Sequence, residues 1–269
     1  MAGTRDQALD LPADDAGTGG LPVVFVHALA GTPAQWSNQL AHLRPDRRAI
    51  ALTLRGHSGA PEAQACDWSI AALARDVAHT LDALELSRVA LVAHSIGAHV
   101  ALACAALYPQ RIAGLLLADP AGCAREVPAA TMNALMQALD SSDYDGAIAT
   151  HYRTLLVGSR PAVANRVLAD LGATPRATVA GVLRASLDFD PLEALASYRG
   201  PTFAVDTYLR EQPWSLHRQS PALRSIRLGD TGHWLQLDRP HEFNLIMDGW
   251  LSGLNPVRRD APGVHEAGR

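Results

Sequence analysis

From about residue 21 the chain alternates between short apolar runs and stretches whose apolar residues recur every three or four positions. Residues 21–26, 48–54, 88–93 and 112–118 read as buried strands, rich in Val, Ile, Leu and Ala and bounded by turn residues. Between them, Ile70, Leu73, Val77, Leu81 and Leu84 mark one face of a helix over 69–84. Residues 34–43, with Trp36, predict another helix, and 96–108 a third that stops at Pro109. From 122 to 200 the rhythm changes: helices are expected over 131–139, 144–156, 163–171 and 178–186, with no convincing strand. Strands resume at 202–205 and 225–228, and a helix over 241–251 closes the pattern. Strands and helices alternating at this length imply a mostly parallel central sheet wrapped by helices, an α/β fold. The sheet core is expected from 1–121 and 201–269, with 122–200 inserted as a helical cap over its carboxyl edge. Residues 1–19 and 255–269, polar or Pro/Gly-rich, are expected to be flexible.

One junction stands out. The run Arg88-Val89-Ala90-Leu91-Val92 leads into Ala93-His94-Ser95-Ile96-Gly97, and an alanine-rich helix follows. This places Ser95 on a sharp strand-to-helix corner, where small residues at 93 and 97 avoid collision with neighbouring elements. A hydroxyl so placed projects above the sheet in front of a helix N-terminus, which favours developing negative charge. It becomes a nucleophile if a histidine takes its proton.

Composition narrows the remaining possibilities. With 269 residues, 48% of them hydrophobic, the chain can bury a substantial core. A net charge of −4 offers no electrostatic case for nucleic acid or an anionic membrane. No apolar run approaches the ~18–20 residues that span a bilayer, and residues 1–20 lack the apolar stretch of a secretory signal. Cys66, Cys104 and Cys123 are odd in number and lack metal-ligand spacing. A cytoplasmic protein without a metal is expected; a homo-oligomer stays open.

Further segments converge on Ser95, because all strand ends of a parallel sheet share one edge. His27-Ala28-Leu29-Ala30-Gly31 follows the first long strand, and the N–H of Leu29 can pair with that of Ile96 as an oxyanion hole. His233 follows the last strand in the Gly-rich loop Gly229-Asp230-Thr231-Gly232, placed to act as a general base. Ala28, His27, Trp234 and Trp214 are candidates to line a substrate pocket. His94, His99 and the Arg55-Gly56-His57 loop read as structural.

The motifs Val24-Phe25-Val26-His27, Arg55-Gly56-His57-Ser58-Gly59, Ala93-His94-Ser95-Ile96-Gly97 and Gly232-His233-Trp234, in that order, resemble the α/β-hydrolase fold family over roughly residues 20–253. The resemblance implies a Ser–acid–His triad in that chain order, a cap inserted after the sixth strand and no cofactor. Ser95 is then the nucleophile, His233 the base, and Leu29 with Ile96 the oxyanion donors. For the acid it implies Asp206, at the end of the strand before the last. Asp119, where some members carry the acid, is second and Glu211 third; a Ser-His dyad is also open. The departures are Ala93 and Ala28, where glycine is commoner, and Thr53, where the family usually has aspartate. The expected activity is hydrolysis of a small or medium apolar carboxylic ester, lactone or related small-molecule acyl substrate. C–C bond hydrolysis, a lyase or cofactor-free haloperoxidase reaction, and non-catalytic ligand binding at a vestigial site are the alternatives.

Overall fold

The computed structural model describes residues 8–60 and 67–254. Cys66 and the expected tail at 255–269 lie outside the described residues. In chain order the elements are β1 (Ala13–Ala16), β2 (Val23–Val26), α1 (Ser37–Leu43), β3 (Ala49–Leu52), α2 (Ile70–Ala83), β4 (Val89–His94), α3 (Ile96–Leu107) and β5 (Ile112–Ala118). Five helices follow: α4 (Ala129–Asp140), α5 (Tyr144–Leu155), α6 (Pro161–Ala173), α7 (Arg176–Asp188) and α8 (Pro191–Ser197). The sheet resumes with β6 (Thr202–Asp206), then α9 (Leu216–Gln219), β7 (Arg224–Arg227), α10 (Leu235–Asp238) and α11 (Pro240–Leu254).

Alternation along the strands explains the layering. Val24, Val26, Ile50, Leu52, Leu91, Leu115 and Leu117 face one side, toward α2, α3 and the helices inserted after β5. Val23, Phe25, Ala49, Ala51, Ala90, Val92 and Leu116 face the other, against Trp36 and the α11 residues Phe243, Met247 and Leu251. Both faces are covered, so these strands read as nearly continuous apolar runs. The sheet order is β1-β3-β2-β4-β5-β6-β7, with β1 antiparallel and the other strands parallel. Ser69 caps α2 by accepting from the Ala72 N–H at 3.1 Å. Among the described residues no helix is long and apolar enough to cross a membrane.

Several elements escape the apolar pattern, β1, α8 and the one-turn helices α9 and α10 among them. Residues 13–16, within the stretch expected to be flexible, form the edge strand β1, exposed along its whole length. Its sequence Ala-Asp-Asp-Ala has no apolar alternation; pairing with β3 and ion pairs from Arg44 to Asp14 (2.7 Å) and Arg48 to Asp15 (2.6 Å) hold it. The short α8 starts at Pro191 behind Asp190, whose carboxylate accepts from the N–H groups of Leu192 and Glu193.

Candidate active site

The end of β4 delivers Ser95 in a backbone conformation that side-chain-bearing residues rarely adopt, φ 55° and ψ −121°. The turn is pinned on two sides. The Ser95 N–H donates to the Ala118 carbonyl of β5 at 3.0 Å. A Cβ at Gly97 would lie 2.5 Å from the His27 carbonyl oxygen and 2.8 Å from that of Val26, so only glycine allows α3 this close to β2. Ala93, by contrast, sits fully buried opposite Val26 and Leu117, and its methyl group is part of the core.

The loop after β2 is held by two buried, neutral histidines. His27 donates from Nδ1 to the Ala28 carbonyl (2.8 Å) and accepts the Leu54 N–H at Nε2 (3.1 Å). His57 donates from Nδ1 to the Arg55 carbonyl (3.0 Å) and accepts the Ala30 N–H at Nε2 (3.1 Å). Burial pushes their pKa values down to about 3 and about 4. Because a peptide is planar and trans, pinning the Ala28 carbonyl with His27 and the Gly31 N–H (2.9 Å) also fixes the direction of the Leu29 N–H. Leu29 and Ile96 line the same cavity as Ser95, with Ala28, Trp234 and Trp214. His27 does not line that cavity: its ring is spent on the loop behind it, which corrects its assignment to the pocket.

His233 Nδ1 meets the carboxylate of Asp119 at 2.6 Å, both side chains buried. Asp119 also accepts from the Thr207 N–H (2.9 Å) and hydroxyl (2.8 Å). The partner of His233 is therefore not Asp206, the first choice from the sequence. Strand position explains the difference. His94 pairs with Ala118 and Ala118 with Val205, so Ser95, Asp119 and Asp206 end three adjacent strands, and Asp119 lies one strand nearer the serine. Asp206 turns instead toward Arg210 and His217, each 3.9 Å away. Burial raises its carboxyl pKa. Glu211 is exposed and shared among surface arginines.

The backbone of His233 is gripped at both ends. Its N–H donates to the Leu155 carbonyl of α5 (3.0 Å), and its carbonyl accepts from His94 Nε2 (2.9 Å). The His94 ring packs 4.7 Å from that of His233, and burial holds it neutral, well below the usual histidine pKa. His94, expected to be structural, thus ties the serine's own strand to the histidine loop. Tyr152 of α5, unmarked by any pattern in the sequence, donates to the Leu29 carbonyl (3.1 Å) and packs on Trp234.

The cavity encloses about 970 Å³. The helices after β5 line it with Met132, Leu135, Ala138, Leu155, Leu183 and Leu187, and the segment after β6 lines it as well. His99 joins the lining, donating from Nε2 to the Ala121 carbonyl (2.9 Å), with its pKa pushed by burial to about 4. Among the described residues no group of three His, Cys, Asp or Glu is arranged to hold a metal ion.

A family model described as "Alpha/beta hydrolase family" matches residues 23–244. Over 107 residues the chain is 39% identical to the dihydrolipoyllysine-residue acetyltransferase component of an acetoin cleaving system from Pseudomonas putida, covering 39% of this chain and 28% of that protein. Over 109 residues it is 38% identical to a putative carbamate hydrolase of Variovorax paradoxus, covering 40% of this chain and 39% of that protein. The chain thus spans less than half the length of these curated relatives. Among solved structures, an enol-lactonase from Burkholderia xenovorans superposes with a TM-score of 0.77 at 21% identity, covering 90% of this chain and 96% of that one. A thermophilic esterase from Thermogutta terrifontis gives 0.76 at 24% identity, covering 91% and 93%. At these identities the likeness shows the fold.

Proposed function

The chain belongs to the alpha/beta hydrolase family of enzymes, and on that premise we propose that it is a serine hydrolase of small or medium carboxylic esters, lactones or related acyl compounds. The observation that carries this reading is the 2.6 Å bond between His233 and Asp119 at the cavity that holds the strained Ser95. With Nδ1–H donated to Asp119, the Nε2 of His233 is left as the base. It takes the Ser95 proton as Oγ attacks the substrate carbonyl carbon. The oxyanion is received by the N–H groups of Leu29 and Ile96. His233 then protonates the leaving group, and the acyl-enzyme on Ser95 is cleaved by a water that His233 deprotonates. These steps use protein groups and water alone. Relatives whose names include esterase, enol-lactonase and carbamate hydrolase point to the same acyl chemistry.

In this reading α4 to α8 are the cap, and their apolar wall takes the hydrocarbon part of the acyl group. The test is hydrolysis of p-nitrophenyl esters from acetate to decanoate by the wild type and Ser95→Ala. The expected result is turnover by the wild type with a chain-length optimum, falling at least about 10³-fold in Ser95→Ala. Normal turnover by Ser95→Ala would remove the mechanism.

A further inference from the structure

The cavity lining is mixed in character. Helices α4, α5 and α7 contribute mainly apolar side chains, whereas the end of β6 and the segment after it set Asp206, Arg210 and His217 among the apolar Leu209, Trp214 and Leu216. Arg210 is the only lysine or arginine among the described lining residues. Its backbone is fixed: its N–H donates to the Thr207 carbonyl (3.3 Å), and its carbonyl accepts from the Ser215 hydroxyl (2.7 Å).

Its guanidinium is left under-used. Of its five N–H donors, one from Nη2 meets the Nε2 of His217 at 2.6 Å. Nη1 lies 3.9 Å from Asp206 and Nε 3.9 Å from Glu211, both beyond hydrogen-bond reach. The buried Asp206 shows the same deficit from the other side, since its Oδ2 has no hydrogen-bond partner. An arginine whose only task is to neutralise Asp206 would close that gap to a bidentate contact. Glu211 is 57% exposed and shared with Arg218 and Arg227, so its charge is largely screened.

We propose that Arg210, flanked by His217, is a subsite for a carboxylate carried on the acyl part of the substrate. The inference rests on the serine-hydrolase reading above and narrows it to acyl groups with an apolar body and an acidic end. The geometry suits that shape. Asp206 ends the strand two positions from that of Ser95, so the subsite lies about two strand spacings, roughly 10 Å, from the nucleophile. The apolar body then lies along the helical wall while the carboxylate takes the unused Nη1 and Nε donors. Burial and the charge of Asp119 raise the carboxyl pKa of Asp206, while Arg210 and His217 lower it.

The test compares mono-p-nitrophenyl esters of straight-chain dicarboxylic acids with neutral p-nitrophenyl esters of matched length. Each is measured with the wild type, Arg210→Gln and Arg210→Lys. The readout is the ratio of kcat/KM for acidic over neutral ester, which is independent of how much of each variant folds. The expected result is a wild-type preference for acidic esters at one chain length. Arg210→Gln lowers the ratio about 10- to 100-fold, mainly through KM, and Arg210→Lys keeps part of it. A ratio unchanged in Arg210→Gln overturns the subsite. A second measurement separates the two readings: calorimetric binding of the free dicarboxylate to Ser95→Ala, with and without Arg210→Gln. If no ester turns over yet this binding is lost with Arg210, the subsite stands and the serine-hydrolase reading fails. If the dicarboxylate does not bind and the acidic esters show no preference, the subsite fails alone.

Discussion

The ends of β5 and β6 each carry a buried aspartate in neighbouring register, and their surroundings give them opposite characters. Asp119 receives three hydrogen bonds, from His233 and from both donors of Thr207. Asp206 has an unpartnered Oδ2 and cations no nearer than 3.9 Å. The donors around Asp119 hold it against the His233 imidazole, whereas burial pushes Asp206 toward its neutral form. The two aspartates end neighbouring strands, and only Asp119, one strand nearer Ser95, meets His233.

The sharpest way to break this comparison is to remove each charge in turn. Asp119→Asn should lower kcat on a neutral ester about 10³- to 10⁴-fold, the cost of losing the partner that orients and charges the base. Asp206→Asn should cost less than about tenfold in the same assay. Equal losses would abolish the distinction. A smaller effect is expected at the base's backbone grip. His94→Ala removes the donor to the His233 carbonyl and should lower kcat about 10- to 100-fold with little change in KM, because it displaces the base without touching the ester. Thr207→Val, which deletes one of the three donors to Asp119, should lower kcat about tenfold.

How much of this was readable from the sequence depends on how local each determinant is. Ser95 is announced by its own turn, and His233 by a Gly-rich loop after a strand; both line the cavity, as do Leu29 and Ile96. Strands β2 to β7 and helices α4 to α7 follow from apolar spacing. The acid does not, because Asp119 and Asp206 both end strands and only the path of the His233 loop over the sheet edge selects between them. Tyr152 and the double role of His94 depend on partners 123 and 139 residues away, which no local pattern encodes. β1 was invisible because an exposed edge strand needs no apolar face.

Stability should carry a separate signature. His27 and His57 are held neutral, with pKa values near 3 and 4, whereas in the unfolded chain they lie near 6.5. Below about pH 6.5 the unfolded state takes up protons that the folded state refuses. Stability is therefore full above that pH and falls as pH drops toward the folded values, by up to about 1.4 kcal/mol per pH unit for each histidine. Melting temperatures between pH 7 and 4.5 should decline, and His57→Gln should make the slope shallower. An unchanged slope would mean that His57 is protonated in the folded protein.

The most direct test of the central claim is the rate at which a fluorophosphonate labels Ser95, with the adduct located by peptide mass spectrometry in the wild type, Asp119→Asn and Asp206→Asn. The expected result is an adduct on Ser95, a labelling rate at least about 100-fold slower in Asp119→Asn, and less than a tenfold change in Asp206→Asn. An adduct elsewhere, or a rate that collapses with Asp206 while surviving the loss of Asp119, would contradict it.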